Sequence, residues 1–229
     1  MSFLPDKNGI INSLDGDLSY KNEQLSKKFG AFAIVYDFMQ EHFTRPRIHK
    51  ANPRRHREIL ANLIAPVQEA KVLYIACGTG GAIVHFHGSN DYTGLDISYA
   101  MLKRAVKRAG KQSFKTCRFI HGNAEELLFE EESFDVVLMD TALHMIPKYQ
   151  MAIKEIARVL VKGGVFVCST PAVGIDREFD TVWEKISAKY YLHSFGVTDI
   201  ENVCNAAGLR FRQRDTNGGM LYLISKKAF

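Results

Sequence analysis

The sequence predicts an α/β fold in which a mainly parallel sheet is covered by helices on both faces. Between residues 71 and 170, five short apolar runs alternate with stretches of helical periodicity. Near the end of the chain, two further strand-like runs flank Asn217-Gly218-Gly219, and a short Asn-Gly linker is a strong hairpin signal. Together these patterns predict a Rossmann-like three-layer sandwich whose seven-stranded sheet ends in an antiparallel hairpin.

The individual elements follow from short local patterns. Buried parallel strands read as continuous apolar runs, and such runs lie at residues 71–77, 92–96, 117–122, 134–140 and 165–170. The two runs of the hairpin are LRFRQRDT and MLYLISKK. Helical spacing of apolar residues predicts helices over residues 99–109, 148–160, 178–190 and 198–207.

Residues 1–66 are predicted to form an N-terminal helical lid, and residues 67–229 the core of what is a single domain overall. Residues 1–19 show little periodicity and are expected to be loose. Apolar residues recur at helical spacing from 20 to 43, and Pro46 interrupts that pattern. Asn52-Pro53 predicts a second helix, with an N-cap followed by proline at the first helical position.

Composition limits the class of protein. The chain has 229 residues, of which 46% are hydrophobic and 24% charged, as expected for a soluble globular protein. No apolar run approaches the length of a membrane span, and the N-terminus lacks the pattern of a secretory signal. The four cysteines are far apart, so neither a disulfide framework nor a metal site is expected. A cytoplasmic protein, monomer or homodimer, is the expectation.

The segment VLYIACGTGG (residues 72–81) is a strand that ends in a glycine-rich turn. Glycine lets the backbone turn sharply and approach a ligand closely, and open α/β sheets bind ligands at the carboxyl ends of their strands. A dinucleotide fingerprint requires a third glycine, but that position is Ile83. The sequence therefore disfavours NAD.

Three further strand ends carry polar residues. Asp96 lies 18 residues after Gly78, where a carboxylate can accept hydrogen bonds from both hydroxyls of a ribose; alternatively, Asp96 or Ser98 caps the following helix. Asn123 ends the third strand, and its amide oxygen can accept from an adenine amino group. The loop from Asp140 to His144 follows the fourth strand and would face the reactive end of the ligand.

These four segments resemble the class I S-adenosylmethionine-dependent methyltransferases, and most of all the small-molecule group that includes the quinone-biosynthesis methyltransferases. The matching motifs are IACGTGG, TGLDIS, GNAEEL and FDVVLMDTALHMI. The resemblance implies S-adenosyl-L-methionine as cofactor. It also implies contacts to the methionine and ribose from Ala76, Gly78 and Gly80, to the ribose from Asp96, to the adenine from Ile97, Met101, Asn123 and Ala124, and to the methionine ammonium from the backbone at Asp140.

Two positions depart from that family pattern. The family usually has an acidic residue at the position of Tyr74, near the methionine end, so this anionic partner is missing here. Asp140 is a candidate substitute. The aspartate usual before Ala124 is Asn123, which can still accept a hydrogen bond.

His144 is the candidate general base, because its imidazole can titrate near neutral pH and its loop follows the fourth strand. The alternative is that His144 only shapes the pocket. Tyr190, Tyr191 and His193 are candidate substrate contacts or packing residues. The substrate lid is expected to combine the N-terminal helices with residues 171–195, and its aromatic residues suit an apolar or aromatic acceptor.

Three functions remain open from the sequence. The first is methyl transfer to a small-molecule acceptor. The second is an RNA or protein methyltransferase that uses the basic stretch RPRIHKANPRRHR, residues 45–57; the sequence lacks a recognisable RNA-binding appendage, so nucleic acid is not the expected partner. The third is a cofactor-binding member of the fold with a different or lost activity, which Tyr74 favours. The sequence does not name the acceptor.

Overall fold

A computed structural model describes residues 4–14 and 18–228 of the chain. Its strands are β1 (Ile10–Asn12), β2 (Lys71–Ile75), β3 (Asp91–Asp96), β4 (Thr116–His121), β5 (Phe134–Asp140), β6 (Leu160–Pro171), β7 (Leu209–Asn217) and β8 (Met220–Lys227). Its α-helices are α1 (Tyr20–Phe32), α2 (Tyr36–Met39), α3 (Pro53–Ile64), α4 (Tyr99–Ala109), α5 (Tyr149–Val159), α6 (Arg177–Tyr190) and α7 (Val197–Ala206). A π-helical segment spans Gln40–Ile48, and short 3-10 turns lie at Gly81–His85 and Leu143–Met145.

The strands form one sheet in the order β1-β4-β3-β2-β5-β6-β8-β7. Strands β1 to β6 are parallel to one another, and β8 is antiparallel to both β6 and β7. The hairpin pairs Asn217 with Met220 across the two glycines. The predicted Rossmann-like architecture and its antiparallel ending are therefore confirmed.

Strand β1 is an eighth strand that the sequence did not reveal. Residues 10–12 were expected to be loose, but they pair in parallel with Phe119–His121 of β4, and Ile10 is 1% exposed. Three residues are too few to show a strand pattern, and an open sheet edge offers unpaired backbone groups to any nearby segment. Residues 1–3 and 15–17, also expected to be loose, lie outside the described residues. The division at residue 66 stays a prediction, although β1 belongs to the sheet.

The sheet separates two hydrophobic cores. Alternate residues of β2 face opposite sides, with Leu73 and Ile75 in one core and Val72 and Tyr74 in the other. This alternation is the period of two that a strand imposes on its side chains. Helix α5 packs in the first core and helix α4 in the second, so both faces of the sheet are covered.

The N-terminal helices agree only in part with what the sequence predicts. Asn52 caps α3 by accepting from the Arg55 backbone N–H at 3.1 Å, and Pro53 is the first helical residue, as predicted. However, the pattern over residues 20–43 is divided between α1 and α2, and Pro46 lies inside the π-helical segment rather than ending the helix. The glycine-rich turn leads into a single 3-10 turn, where β-branched Ile83 and Val84 are poor helix formers.

No helix in the described part of the chain combines the length and the apolar character needed to cross a bilayer.

Candidate functional site

A cleft of about 680 Å³ lies at the carboxyl ends of the parallel strands. Its floor comes from the turns after β2, β3, β4 and β5, and α1 and α2 contribute its other wall. Its lining residues are Asn22, Leu25, Phe29, Tyr36, Ala76, Gly78, Leu95, Asp96, Ile97, Met101, Gly122, Asn123, Ala124, Asp140, Thr141, Ala142, Met145, Ile146 and Pro147. Its largely apolar lining is typical of a small-molecule site.

The structure brings most of the predicted cofactor residues together in this cleft. The predicted residues that line it are Ala76, Gly78, Asp96, Ile97, Met101, Asn123, Ala124 and Asp140. They come from four separate strand ends, so only the folded sheet makes them neighbours. Two predicted site residues, Gly80 and His144, are not in its lining.

Gly80 has a packing role, and its predicted cofactor contact stays a prediction. Its φ is +75°, and a Cβ at this position would lie 3.3 Å from the Ala105 Cβ of α4. A side chain here would push the glycine-rich turn away from that helix. The glycine pattern therefore reflects close helix packing at Gly80, whereas Gly78 faces the cleft.

The backbone at the cleft floor is conformationally unusual. Ala76 has a φ of +50° and Thr141 a φ of +55°, although neither is glycine. They follow the adjacent strands β2 and β5. Non-glycine residues in this region are rare and cluster at ligand sites, and backbone angles cannot be read from the sequence. The strained pair thus marks the cleft floor independently of the motifs.

Asp96 has a structural role that leaves room for the predicted ligand role. Its carboxylate accepts from the backbone N–H of Gly78 at 2.7 Å and of Ser98 at 2.8 Å, which fixes the glycine-rich turn. Burial raises the pKa of Asp96 to about 6. A carboxylate has about four acceptor sites, so acceptor capacity remains for ribose hydroxyls. The capping alternative is not supported, because Ser98 is the N-cap of α4 and no side chain among the described residues makes a cap hydrogen bond to that helix.

The GNAEEL segment ties α1 to the cleft. The Asn123 Oδ1 accepts from the Glu125 backbone N–H at 3.0 Å, and buried Glu125 accepts from the Asn22 Nδ2 at 3.2 Å and from the Lys148 N–H at 2.9 Å. Asn22 is 3% exposed and lines the cleft. The sequence missed Asn22, because only the tertiary contact with Glu125 distinguishes it from an exposed helix residue.

Helix α2 sits over the glycine-rich turn. The Tyr36 ring lies 3.9 Å from the position that a Gly78 Cβ would take, and burial raises the pKa of Tyr36 to about 12. Asp37 accepts from the Thr79 Oγ1 at 2.6 Å and from the Arg108 Nη2 at 2.5 Å. These bonds hold α2 against the sheet at the edge of the cleft.

Asp140 lies in a buried polar network. Its carboxylate accepts from the Ser169 Oγ at 2.5 Å and lies 3.4 Å from the His56 Nε2 and 3.8 Å from the Arg45 Nη2. Burial alone would raise the pKa of Asp140, but His56 and Arg45 hold that pKa well below its ordinary value. The carboxylate is therefore an anion at the cleft floor. In the sequence, these two partners, Arg45 and His56, were distinguished only as members of the basic stretch, residues 45–57.

His144 lies in a buried aromatic cluster with His49, Phe179 and Trp183. The His144 ring centroid is 5.4 Å from that of Trp183 and 6.3 Å from that of His49. Burial lowers the pKa of His144 to about 3. Its Nδ1, the Nδ1 of His49 and the Nε1 of Trp183 are buried without hydrogen-bond partners among the described residues. The imidazole is thus neutral and enclosed, and the base role predicted from its loop position stays a prediction.

The candidate substrate residues before the last helix do not line the cleft either. Tyr190 is 49% and Tyr191 90% exposed. The His193 N–H donates to the His144 carbonyl at 2.9 Å, and the His193 ring stacks on Phe195. Of the predicted lid aromatics, Phe29 and Tyr36 face the cleft, whereas Phe179 and Trp183 are buried in the aromatic cluster.

Comparison with known proteins agrees with this geometry. Residues 73–168 match the family model described as a methyltransferase domain. This segment of the chain is therefore similar to a methyltransferase domain. A methyltransferase domain agrees with S-adenosyl-L-methionine, the cofactor that the resemblance of the motifs implies.

Among curated proteins, the chain is 31% identical over 170 residues to a demethylmenaquinone methyltransferase of Staphylococcus aureus. The match covers 71% of this chain and 65% of that relative, so the chain spans less than two thirds of the relative's length. The resemblance to the quinone-biosynthesis group is thereby confirmed.

Solved structures share the fold at low identity. A SAM-dependent methyltransferase from Thermotoga maritima has a TM-score of 0.65 and 20% identity, covering 89% of this chain and 99% of that chain. The [4+2]-cyclase SpnF has a TM-score of 0.70 and 15% identity, covering 90% and 96%. At these identities the likeness concerns the fold alone.

Replacing Asp96 by alanine is expected to weaken S-adenosylhomocysteine binding at least tenfold without unfolding the protein. The ribose hydroxyls would lose their hydrogen-bond acceptor, and leaving them unpaired costs about 1–3 kcal/mol of binding free energy. Calorimetric titration checks this, with thermal unfolding measured alongside. In the wild type, affinity should also fall as the pH drops below about 6, where the raised pKa lets Asp96 take up a proton. Unchanged affinity in the variant would leave Asp96 a purely structural role.

Proposed function

We propose that the protein transfers a methyl group from S-adenosylmethionine to a small-molecule acceptor. One observation carries the proposal: residues from four motifs, chosen from the sequence for contacts to this cofactor, line a single cleft at the strand ends. The cleft offers the chemistry that the cofactor requires, with a glycine backbone at Gly78, a buried carboxylate at Asp96 and apolar side chains at Ile97 and Met101.

The protein's task in such a reaction is alignment. S-adenosylmethionine supplies a methyl group on a sulfonium, which leaves as a neutral thioether. The chain's residues have to hold the acceptor in line and exclude water, which contributes mainly through proximity and orientation. A general base matters only when the acceptor is a hydroxyl or a protonated amine.

The acceptor is proposed to be apolar or aromatic. The apolar part of the cleft wall includes Leu25, Phe29, Met145, Ile146 and Pro147. Apolar walls favour an acceptor that loses its hydration at low cost. The curated relative's name specifies a demethylmenaquinone, and an aromatic acceptor of that general kind suits this wall.

The basic stretch favours this proposal over one with a nucleic-acid substrate. Four of its five arginines form intramolecular ion pairs: Arg45 with Asp140, Arg54 with Glu58, Arg55 with Asp215 and Arg57 with Glu41. The fifth, Arg47, lies over the Phe43 ring. Phosphate binding draws on cations that are free to replace counterions. Here carboxylates of the same chain already pair with four of these cations.

The first test is binding. The purified protein is expected to bind S-adenosylmethionine and S-adenosylhomocysteine in calorimetric titrations and not NAD, since Ile83, 0% exposed, replaces the third glycine of the dinucleotide fingerprint. Incubation of a metabolite extract with methyl-labelled S-adenosylmethionine, followed by mass spectrometry, then identifies the acceptor. NAD binding without S-adenosylmethionine binding would refute the proposal, and cofactor binding without any labelled product would favour a different reaction on this fold.

A further inference from the structure

A second cavity of about 1050 Å³ adjoins the cleft. The two share Tyr36, Ala76, Gly78, Asp140 and Thr141, so the space continues past the glycine-rich turn. The second cavity differs from the first in its polar lining, which includes Gln40, Arg45 and Tyr74. A ligand whose apolar and ribose parts fill the cleft would extend any charged end into this cavity.

The arginines of this cavity are not equivalent. Arg57 lies 2.5 Å from the Glu41 carboxylate and Arg108 lies 2.5 Å from Asp37, so both are neutralised at hydrogen-bond distance. Arg45 is 3.8 Å from the Asp140 carboxylate and shares its Nη2 with the His56 ring at 3.0 Å. Its Nε is buried without a partner among the described residues. Arg45 is therefore the cation with an unused buried donor.

The acceptors of the cavity show a complementary pattern. The Gln40 Oε1 is buried without a partner in the described part of the chain, and the Asp140 carboxylate is anionic. Tyr74 occupies the position at which the family usually has an acid, and burial raises the pKa of its phenol well above the ordinary value. Tyr74 therefore stays neutral and cannot balance an ammonium group.

An unused buried donor on a cation, together with an unused buried acceptor and an anion in the same cavity, matches a zwitterion. We propose that Arg45 binds the carboxylate of the cofactor's amino-acid end and that Asp140 and Gln40 bind its ammonium. The charges of that end are then recognised largely by the π-helical segment rather than by β2, where the family has its acid. This inference rests on the proposed cofactor cleft.

The assignment has a structural consequence. Gln40 and Arg45 both belong to the π-helical segment, whereas Asp140 ends β5. A ligand with an amino-acid end therefore joins that segment to the sheet, and a ligand without one does not. The amino-acid end would fix the N-terminal helices over the cleft.

Two ligands separate this inference from the proposed function. S-adenosylhomocysteine carries the amino-acid end, and 5′-methylthioadenosine lacks it but retains the adenosine. Arg45→Gln and, independently, Gln40→Leu are expected to lower affinity for S-adenosylhomocysteine, Arg45→Gln by at least about tenfold for a lost charge-assisted hydrogen bond. Both variants should retain affinity for 5′-methylthioadenosine. Asp96→Ala should weaken the binding of both ligands. The control variant Arg54→Gln, which also removes an ion-paired arginine of the basic stretch but one outside both cavities, should weaken neither.

Two further readouts do not depend on activity. Decarboxylated S-adenosylmethionine should bind Arg45→Gln and the wild type alike, because it has no carboxylate for Arg45. Hydrogen exchange at residues 40–48 should slow with S-adenosylhomocysteine and not with 5′-methylthioadenosine. Thermal unfolding verifies that each variant folds. If Arg45→Gln does not fold, Gln40→Leu alone tests the inference.

Three outcomes would overturn the inference. Equal losses for both ligands would give Arg45 and Gln40 a structural role only. Unchanged S-adenosylhomocysteine affinity in both variants would place the amino-acid end elsewhere while leaving the proposed function intact. A wild type that binds neither ligand would remove the proposed function, and the inference with it.

Discussion

Gly78→Val is expected to weaken S-adenosylhomocysteine binding by at least about 100-fold, or roughly 2.7 kcal/mol. Gly78 has a φ of +54°, and its Cβ position opens into the cleft 3.9 Å from the Tyr36 ring. A branched side chain there would occupy the space between the glycine-rich turn and Tyr36. It would also strain the turn, since a left-handed conformation costs a non-glycine residue about 1–2 kcal/mol. Calorimetric titration measures the loss.

Gly208→Val is the matched control for that strain. Gly208 has a φ of +78° with no atom within 4 Å of its Cβ position, and it lies in the turn before β7, away from the cleft. Both variants should lose similar stability in thermal unfolding, and only Gly78→Val should lose binding. A folded Gly78→Val protein that binds like the wild type would refute the placement of the cofactor against this turn.

The second large effect concerns His144 and pH. Burial holds the pKa of folded His144 at about 3, whereas an unfolded histidine has a pKa of about 6.5. Below 6.5 the unfolded chain therefore binds a proton that the folded chain excludes, so folding stability falls as the pH falls. The expected loss is about 2 kcal/mol between pH 8 and pH 5. His49, whose pKa burial also lowers, adds to it in the same direction.

His144→Leu isolates this contribution. The His144 Nδ1 has no partner among the described residues, so leucine removes no hydrogen bond there. The free energy of unfolding of the variant, measured by urea titration at several pH values, should vary less with pH than that of the wild type. Trp183→Phe changes the same cluster without removing a titratable group, so its curve should run parallel to the wild type. A parallel curve for His144→Leu would contradict the prediction.

The same variant tests the predicted base role. With a pKa near 3, His144 would not titrate between pH 5 and pH 8, so it would produce no limb in the rate profile there. A limb near pH 6.5 that disappears in His144→Leu, together with a loss of kcat at unchanged cofactor affinity, would establish His144 as the base.

The sequence by itself determined the layered fold and the chemistry of most of the cleft. The strand runs, the glycine spacing and the Asn-Gly hairpin signal each lie within a short segment of the sequence. Each predicts its element without knowledge of contacts to distant segments. Asp96, Asn123 and Asp140 each follow a strand, and parallel strands bring their carboxyl ends to one edge. Local pattern and connectivity were therefore sufficient to place them together.

Only the tertiary structure decided which neighbouring residues face that edge. Gly78 and Gly80 are two residues apart in one motif, yet the first lines the cleft and the second packs on α4, and only the folded chain brings that helix against the turn. Arg45 belongs to a basic stretch that looks exposed in sequence, but its side chain is only 15% exposed and lies beside Asp140. The direction of a side chain and its loss of hydration depend on contacts between segments distant in sequence, and local composition does not encode those contacts.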